Sequence, residues 1–236
     1  MIDTFLYYAI IVDVTILAAI ATLSSQQYNA TDKTYMNVRW FLDYVATHTN
    51  AKIRYHASDM VLRTHSNASY LSAPQARSRA GGNLFSKNLF ETPPLNGPIH
   101  TVYKIMSNVM GSAAEVEIGA TYINGQELVP IRTCLHKMGH PQSPTPMQVD
   151  NTTAEAFANN TPKQKLSKAI NMRVYWIQDR TKQGHFKTYW QPGDSNTGDY
   201  HTKHHSPNYH RLMRHVFLHT NLLIAQLSKQ TYARVC

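Results

Sequence analysis

Acidic side chains are scarce in this chain, so where they fall carries information. There are 14 Asp and Glu against 23 Lys and Arg in 236 residues. Asp150 ends a short apolar run, Pro146-Met147-Gln148-Val149. Glu115 and Glu117 open a long helical stretch, and Asp194 and Asp199 follow the alternating run at 185–190. Asn67 ends another alternating run that begins near Asp59, the pattern of a half-buried strand. If these ends share one rim of a sheet, carboxylates and an amide oxygen meet there. Hard oxygen donors without cysteine suit Mg²⁺. Two such ions about 4 Å apart can activate a water and stabilise the leaving oxygen in phosphodiester cleavage. The competing assignment makes each acid a surface residue or a helix cap.

The elements that must position these groups can be read in order. Residues 3–26 form a first helix, and Thr31 or Asp32 caps a second through about His48, with Met36, Val38, Phe41, Leu42 and Val45 as its apolar stripe. Strands are expected at 52–55, 60–67, 82–86 and 99–109, with a small-residue turn carrying Arg77, Arg79, Gly81 and Gly82 after Asn67, and a Pro-rich turn at 91–98. A long helix follows at 112–138, interrupted at Asn124-Gly125, then a strand at 146–150, helices at 152–159 and 163–182, a strand at 185–190 and a last helix from about Asn208. An initial meander implies antiparallel pairing, and the later strand–helix–strand units imply parallel pairing. The expectation is an α/β fold with a five-stranded mixed sheet and flanking helices, preceded by a two-helix segment. Sites in such sheets gather at strand ends.

Composition bounds the chemistry further. A formal net charge of +9 favours a polyanionic partner, nucleic acid first. Two cysteines, Cys134 and Cys236, with no CxxC pair, argue against a disulfide framework and fit a reducing, intracellular setting. Residues 5–23 are almost wholly apolar, but Asp13 interrupts them and no Lys or Arg precedes Lys33. A buried helix suits that pattern better than a signal anchor or a membrane span. His201 and His204 have a spacing seen in zinc sites, without the partners a zinc site needs.

Seven short runs, in order, resemble the RNase H region of copia-type LTR-retrotransposon polyproteins, with the end of the reverse transcriptase before it. They are Leu42-Asp43-Tyr44-Val45-Ala46-Thr47-His48, Ser66-Asn67-Ala68-Ser69-Tyr70-Leu71-Ser72, Ala76-Arg77-Ser78-Arg79-Ala80-Gly81-Gly82, Ser112-Ala113-Ala114-Glu115-Val116-Glu117, Val149-Asp150-Asn151-Thr152-Thr153-Ala154, Ser167-Lys168-Ala169-Ile170-Asn171-Met172-Arg173 and Asp199-Tyr200-His201-Thr202-Lys203-His204. The resemblance covers about 5–215. It implies an RNase H-like fold at 52–215, a helical leader at 1–51 left from the reverse transcriptase, and an unmatched tail at 216–236.

It also implies four metal-binding positions in a nuclease that cuts the RNA strand of RNA–DNA hybrids with two Mg²⁺ ions, or Mn²⁺ in their place. The second position falls on Glu117 rather than Glu115, which lies two residues away and so on roughly the opposite helix face. The third falls on Asp150 and the fourth on Asp199. The first should be Asp in a Ser-Asp-Ala-Ser-Tyr motif, and this chain has Asn67 there. An amide can coordinate but brings no charge, so hydrolysis is expected to be impaired or absent. A non-catalytic hybrid- or RNA-binding module, or an inert fragment, is the alternative. Arg77, Arg79, Lys163, Lys165, Lys168 and Arg173 are candidates for phosphate contacts. His201 or His204 could assist product release near Asp199. The implied partners are an RNA–DNA hybrid and the reverse transcriptase portion of the same polyprotein, with no membrane and no obligate small molecule. The implied location is the cytoplasm, the nucleus or a virus-like particle.

Overall fold

The structure is a computed structural model that describes residues 1–86, 97–159 and 168–219. Lys163, Lys165, the start of the helix expected at 163, the tail beyond 219 and most of the turn at 91–98 lie outside the described residues. Among the described residues, 56–203 form one compact unit, and 1–55 with 204–219 form another.

The N-terminal stretch breaks where a single helix over 3–26 was expected. It forms α1 (Ile2–Ile11), a 3₁₀ turn at Val14–Ile16, and α2 (Leu17–Ser25). The cause is Asp13, which is 2% exposed. A carboxylate buried that deeply must be paired. Leaving the helix lets its Oδ1 accept the Thr15 N–H at 3.1 Å and its Oδ2 accept Arg214 Nη1 at 3.2 Å. The third helix, α3 (Asp32–Thr47), starts as its sequence predicts. Thr31 Oγ1 accepts the Thr34 N–H at 3.3 Å, and Thr34 Oγ1 accepts the Thr31 N–H at 3.2 Å, a reciprocal cap. No helix among the described residues is long and apolar enough to cross a membrane.

The larger unit is built on five strands: β1 (Leu62–Ala73), β2 (Arg77–Ser86), β3 (His100–Ile105), β4 (Thr145–Val149) and β5 (Phe186–Trp190). Their order across the sheet is β3-β2-β1-β4-β5. β1–β2 and β2–β3 are antiparallel, whereas β1–β4 and β4–β5 are parallel. Both halves of the expected mixed sheet are therefore present. Helices α4 (Ala113–Lys137), α5 (Thr152–Ala158) and α6 (Lys168–Lys182) complete the unit, with Leu62, Leu84, Ile118, Leu128, Met147 and Phe186 at its core. Residues 52–55, expected as a strand, carry no regular structure.

Two local readings change. The Gly pair does not sit in a turn. The turn is Pro74–Ala76, and Gly81 and Gly82 lie inside β2, paired with Asn67 and Ser66 of β1. Successive strand residues face opposite sides of a sheet, and each glycine admits a different neighbour. A Cβ at Gly81 would stand 2.6 Å from Thr202 Cγ2 and 2.8 Å from the Gly198 carbonyl oxygen. A Cβ at Gly82 would stand 1.9 Å from Asn124 Oδ1. The long helix α4 is also continuous through Asn124-Gly125. Buried Asn124 donates Nδ2–H to Ser66 Oγ (3.1 Å) and to the Gly81 carbonyl (3.0 Å), and Gly125 lets the Trp176 ring approach. These residues look like helix breakers in sequence, yet they serve as the helix's contacts to its neighbours.

The last helix, α7 (Pro207–Phe217), groups with the leader helices rather than with the sheet unit that the sequence boundary at 215 would give it. Its Arg214 is the partner of Asp13, and the His219 N–H donates to the Lys52 carbonyl at 2.7 Å. α7 therefore closes the smaller unit from the far end of the chain.

Candidate active site

The strand carrying Asn67 does not end there. β1 runs six residues further, but its pairing with β4 covers Thr64–Met147 and His65–Gln148. Beyond that register the flank of β1 faces the carboxyl end of β4. Asp150 follows the last residue of β4 directly. A 3₁₀ segment at Thr197–His201 packs against β1 and β2 on the face that Gly81 leaves open, and it carries Asp199. Helix α4 places Glu117 one turn from its start, beside the backbone of Ala68. The topology thus brings four separate pieces of chain to one place.

The side chains interlock. Asn67, 1% exposed, donates Nδ2–H to Asp199 Oδ1 at 3.0 Å and to Thr202 Oγ1 at 2.8 Å. Its amide must point this way, because reversal would set two oxygens against each other at that distance. The Ala68 N–H donates to Glu117 Oε1 at 3.0 Å. Lys203 forms an ion pair with Asp199, one helical turn away in sequence. Buried Asn67 Oδ1 and Glu117 Oε2 have no hydrogen-bond partner. Glu115 points elsewhere, where its Oε2 accepts the Gly111 N–H at 2.8 Å, and Asp194 is exposed.

The acids feel each other. Burial, then the Asp150 carboxylate and to a smaller extent Asp199, pushes Glu117 well above the usual glutamate range, against the pull of the Ala68 N–H and Lys203. Burial and then Asp199 also raise Asp150, against Lys203. A carboxylate whose folded pKa lies above its unfolded value favours the folded state at low pH, and that contribution is lost as pH rises through the folded value. Stability without divalent ions is therefore expected to fall as pH rises from about 4, the ordinary glutamate value, into the neutral range. Glu117→Gln should flatten this slope and raise the unfolding midpoint at pH 8. Thermal unfolding across pH checks this, and an unchanged slope in the variant would refute it.

The other expected site residues separate. Arg77 is half-buried, with Nη2 on Gln75 Oε1 at 2.9 Å. Arg79 is 6% exposed and stands over the Tyr103 ring at 5.9 Å, so it lies inside the fold and not on a surface that could meet phosphate. Arg173 is half-buried over Tyr122, and the Lys168 side chain lies outside the described residues. His201 is 1% exposed with Nε2 at 3.0 Å from Asn83 Oδ1, which removes it from a solvent-facing role in product release. His204 groups with the smaller unit. Sequence reasoning missed Thr202, Lys203 and Asn196. Asn196 Nδ2 reaches the Ser66 carbonyl at 2.7 Å, and its Oδ1 caps Gly198 at 2.9 Å. The Asn-x-Gly spacing before Asp199 was an available signal for that turn.

Three antiparallel strands leading into two parallel ones, in the order 3-2-1-4-5 with helices on the faces, define an RNase H-like fold. The chain resembles the RNase H region of a retrotransposon polyprotein: it is 24% identical over 166 residues to the retrovirus-related Pol polyprotein from transposon TNT 1-94 of Nicotiana tabacum. That match takes in 70% of this chain and 12% of the relative, so the chain spans a small part of the longer protein. No family model matches. Among solved structures, LC11-RNase H1 isolated from compost is similar at a TM-score of 0.46 and 10% identity, covering 61% of this chain and 93% of that one. The N-terminal RNase H domain of Rv2228c from Mycobacterium tuberculosis is similar at 0.44 and 10%, covering 61% and 91%.

Proposed function

We propose that this chain is the RNase H-like part of a copia-type retrotransposon polyprotein, built to hold an RNA–DNA hybrid and impaired in cutting its RNA strand. The observation that carries the reading is the Asn67–Asp199 hydrogen bond at 3.0 Å. Where this family's first acid would share cations with its fourth, an amide N–H satisfies the fourth acid directly.

The donors present suit divalent ions in type. Asn67 Oδ1 and Glu117 Oε2 are buried oxygens without hydrogen-bond partners, and Asp150 and Asp199 add hard carboxylates. They fall short in charge because Asn67 is neutral, and among the described residues no three His, Cys, Asp or Glu side chains are set closely enough to hold a metal ion by themselves. Asn67, Glu117, Asp150 and Asp199 would hold Mg²⁺ or Mn²⁺. Bound there, the ions would activate a water and stabilise the leaving oxygen. The protein's own part is placement. β1 and α4 carry Asn67 and Glu117, Thr202 and the Ala68 N–H fix them by hydrogen bonds, and Lys203 pairs with Asp199.

Hybrid binding does not need the missing charge. Arg77, Lys163, Lys165, Lys168 and Arg173 are the remaining phosphate candidates, and hybrid shape with its 2′-hydroxyls is what such a surface reads. Tyr70 and Trp190, 43% and 46% exposed, are available to stack. The test is fluorescence anisotropy with a labelled RNA–DNA hybrid in Mg²⁺. The expected result is binding that weakens log-linearly with salt, tighter than for duplex DNA, with the RNA left intact. Affinity independent of salt, or preference for duplex DNA, would overturn the reading.

A further inference from the structure

The smaller unit holds a cavity of about 590 Å³ that the proposed nuclease role does not use. Ile16, Leu23 and Phe41 form its apolar wall, and Trp40, 64% exposed, stands at its mouth. Its ionisable groups are basic or neutral: Arg211, Arg214, four histidines and Tyr44 line it, with Thr15, Thr22 and Asn37 as further neutral polar groups, and among the described residues no Asp or Glu does. The carboxylate nearest in the network, Asp13, is already bound to Arg214 Nη1 at 3.2 Å. Arg214 also donates to the Tyr44 hydroxyl, which lies 2.8 Å from His210 Nε2, while His48 stacks on the Tyr44 ring with centroids 4.2 Å apart. The cavity floor is therefore a fixed hydrogen-bonded network rather than a set of mobile surface side chains. Arg211 is different: it is exposed, and its Nη1 reaches Asn208 Oδ1 at 3.4 Å, the far limit of a hydrogen bond.

We propose that this cavity is a binding site for a small amphipathic anion, an aromatic or aliphatic group bearing one carboxylate, sulfonate or phosphate. Pockets of several hundred Å³ with apolar walls and a few convergent polar groups are the usual form of small-molecule sites. The wall accommodates the apolar body, and exposed Arg211 meets the charge at the rim. The inference stands on the smaller unit and does not depend on whether the larger one cleaves RNA.

The test uses the full chain and the fluorescent probe 8-anilinonaphthalene-1-sulfonate at pH 7, with dodecanoate as a competitor and neutral N-phenyl-1-naphthylamine as the uncharged control. The expected result is saturable binding of one probe per chain, displaced by dodecanoate, and tighter than the neutral control. Ala19→Trp, at an exposed position of α2 on the cavity wall, should abolish it by filling the space. Arg211→Ala should weaken the anionic probe about tenfold, the scale of one lost charge-assisted hydrogen bond, and leave the neutral one unchanged. Equal affinity for both probes, several probes per chain, or full binding by a folded Ala19→Trp chain would each overturn the proposal.

Discussion

Replacing Asn67 with Asp is expected to raise Mg²⁺-dependent cleavage of the RNA strand in a hybrid by about a hundredfold or more. Even groups that merely orient metal ligands are worth about 10–100-fold in affinity or activity, and a charged ligand at the centre should count for at least that. The same substitution should weaken the fold when no divalent ion is present. It removes the N–H donated to Asp199 Oδ1 and sets two carboxylates at hydrogen-bond distance in a site that already holds Glu117 and Asp150. Like charges so close cannot both ionise without cost. A loss of about 3–5 kcal/mol at neutral pH is expected, the range for other uncompensated buried charges. Added MgCl₂ should restore the unfolding midpoint of Asn67→Asp and move that of the parent chain little, since only the folded variant binds the ion tightly. Cleavage and thermal unfolding, each with and without Mg²⁺, decide the matter. Equal rates for the two chains, together with no Mg²⁺-dependent stabilisation of the variant, would mean Asn67 is not the defect.

The second large effect belongs to the smaller unit. Asp13→Ala should destabilise it by about 3–5 kcal/mol, because it leaves Arg214 buried without its counter-charge. The two side chains are 3% and 10% exposed, so solvent does little to screen them. The double variant Asp13→Leu with Arg214→Leu should recover most of the loss, since a buried ion pair often contributes little more than apolar residues of similar volume. Urea unfolding of the single and double variants measures both. A single-variant loss under about 1 kcal/mol would show that the pair is solvated after all.

Asp13 also shows why part of this molecule was legible in advance. An acid inside an apolar run had to be paired or exposed, and Asp13 is paired. What it pairs with lies 201 residues away, and no local pattern could have named Arg214. The consequence, a helix broken at Val12–Asp13, was hidden for the same reason. Thr31 was legible because its partner Thr34 is three residues on. The Gly81-Gly82 pair and Asn124-Gly125 were misread in a consistent way. Each looks like a local breaker, and each instead answers a neighbour from a distant stretch: Thr202 and Gly198 for Gly81, Asn124 for Gly82, Trp176 for Gly125.

The candidate site divides along the same line. Residue types and hydrophobic periods along the chain marked where the five strands lie and their mixed pairing, because these depend on spacing of 2 or 3.6 residues, whereas the choice of Glu117 over Glu115 and the acid expected at position 67 came from the family resemblance. Only the tertiary structure decided that Asn67 turns its amide to Asp199, that Lys203 joins it, that Arg79 and His201 are interior, and that α7 belongs with the leader. Those facts depend on which distant segments touch. Contacts between residues more than a hundred positions apart are set by the packing of whole elements, and local sequence carries no record of them.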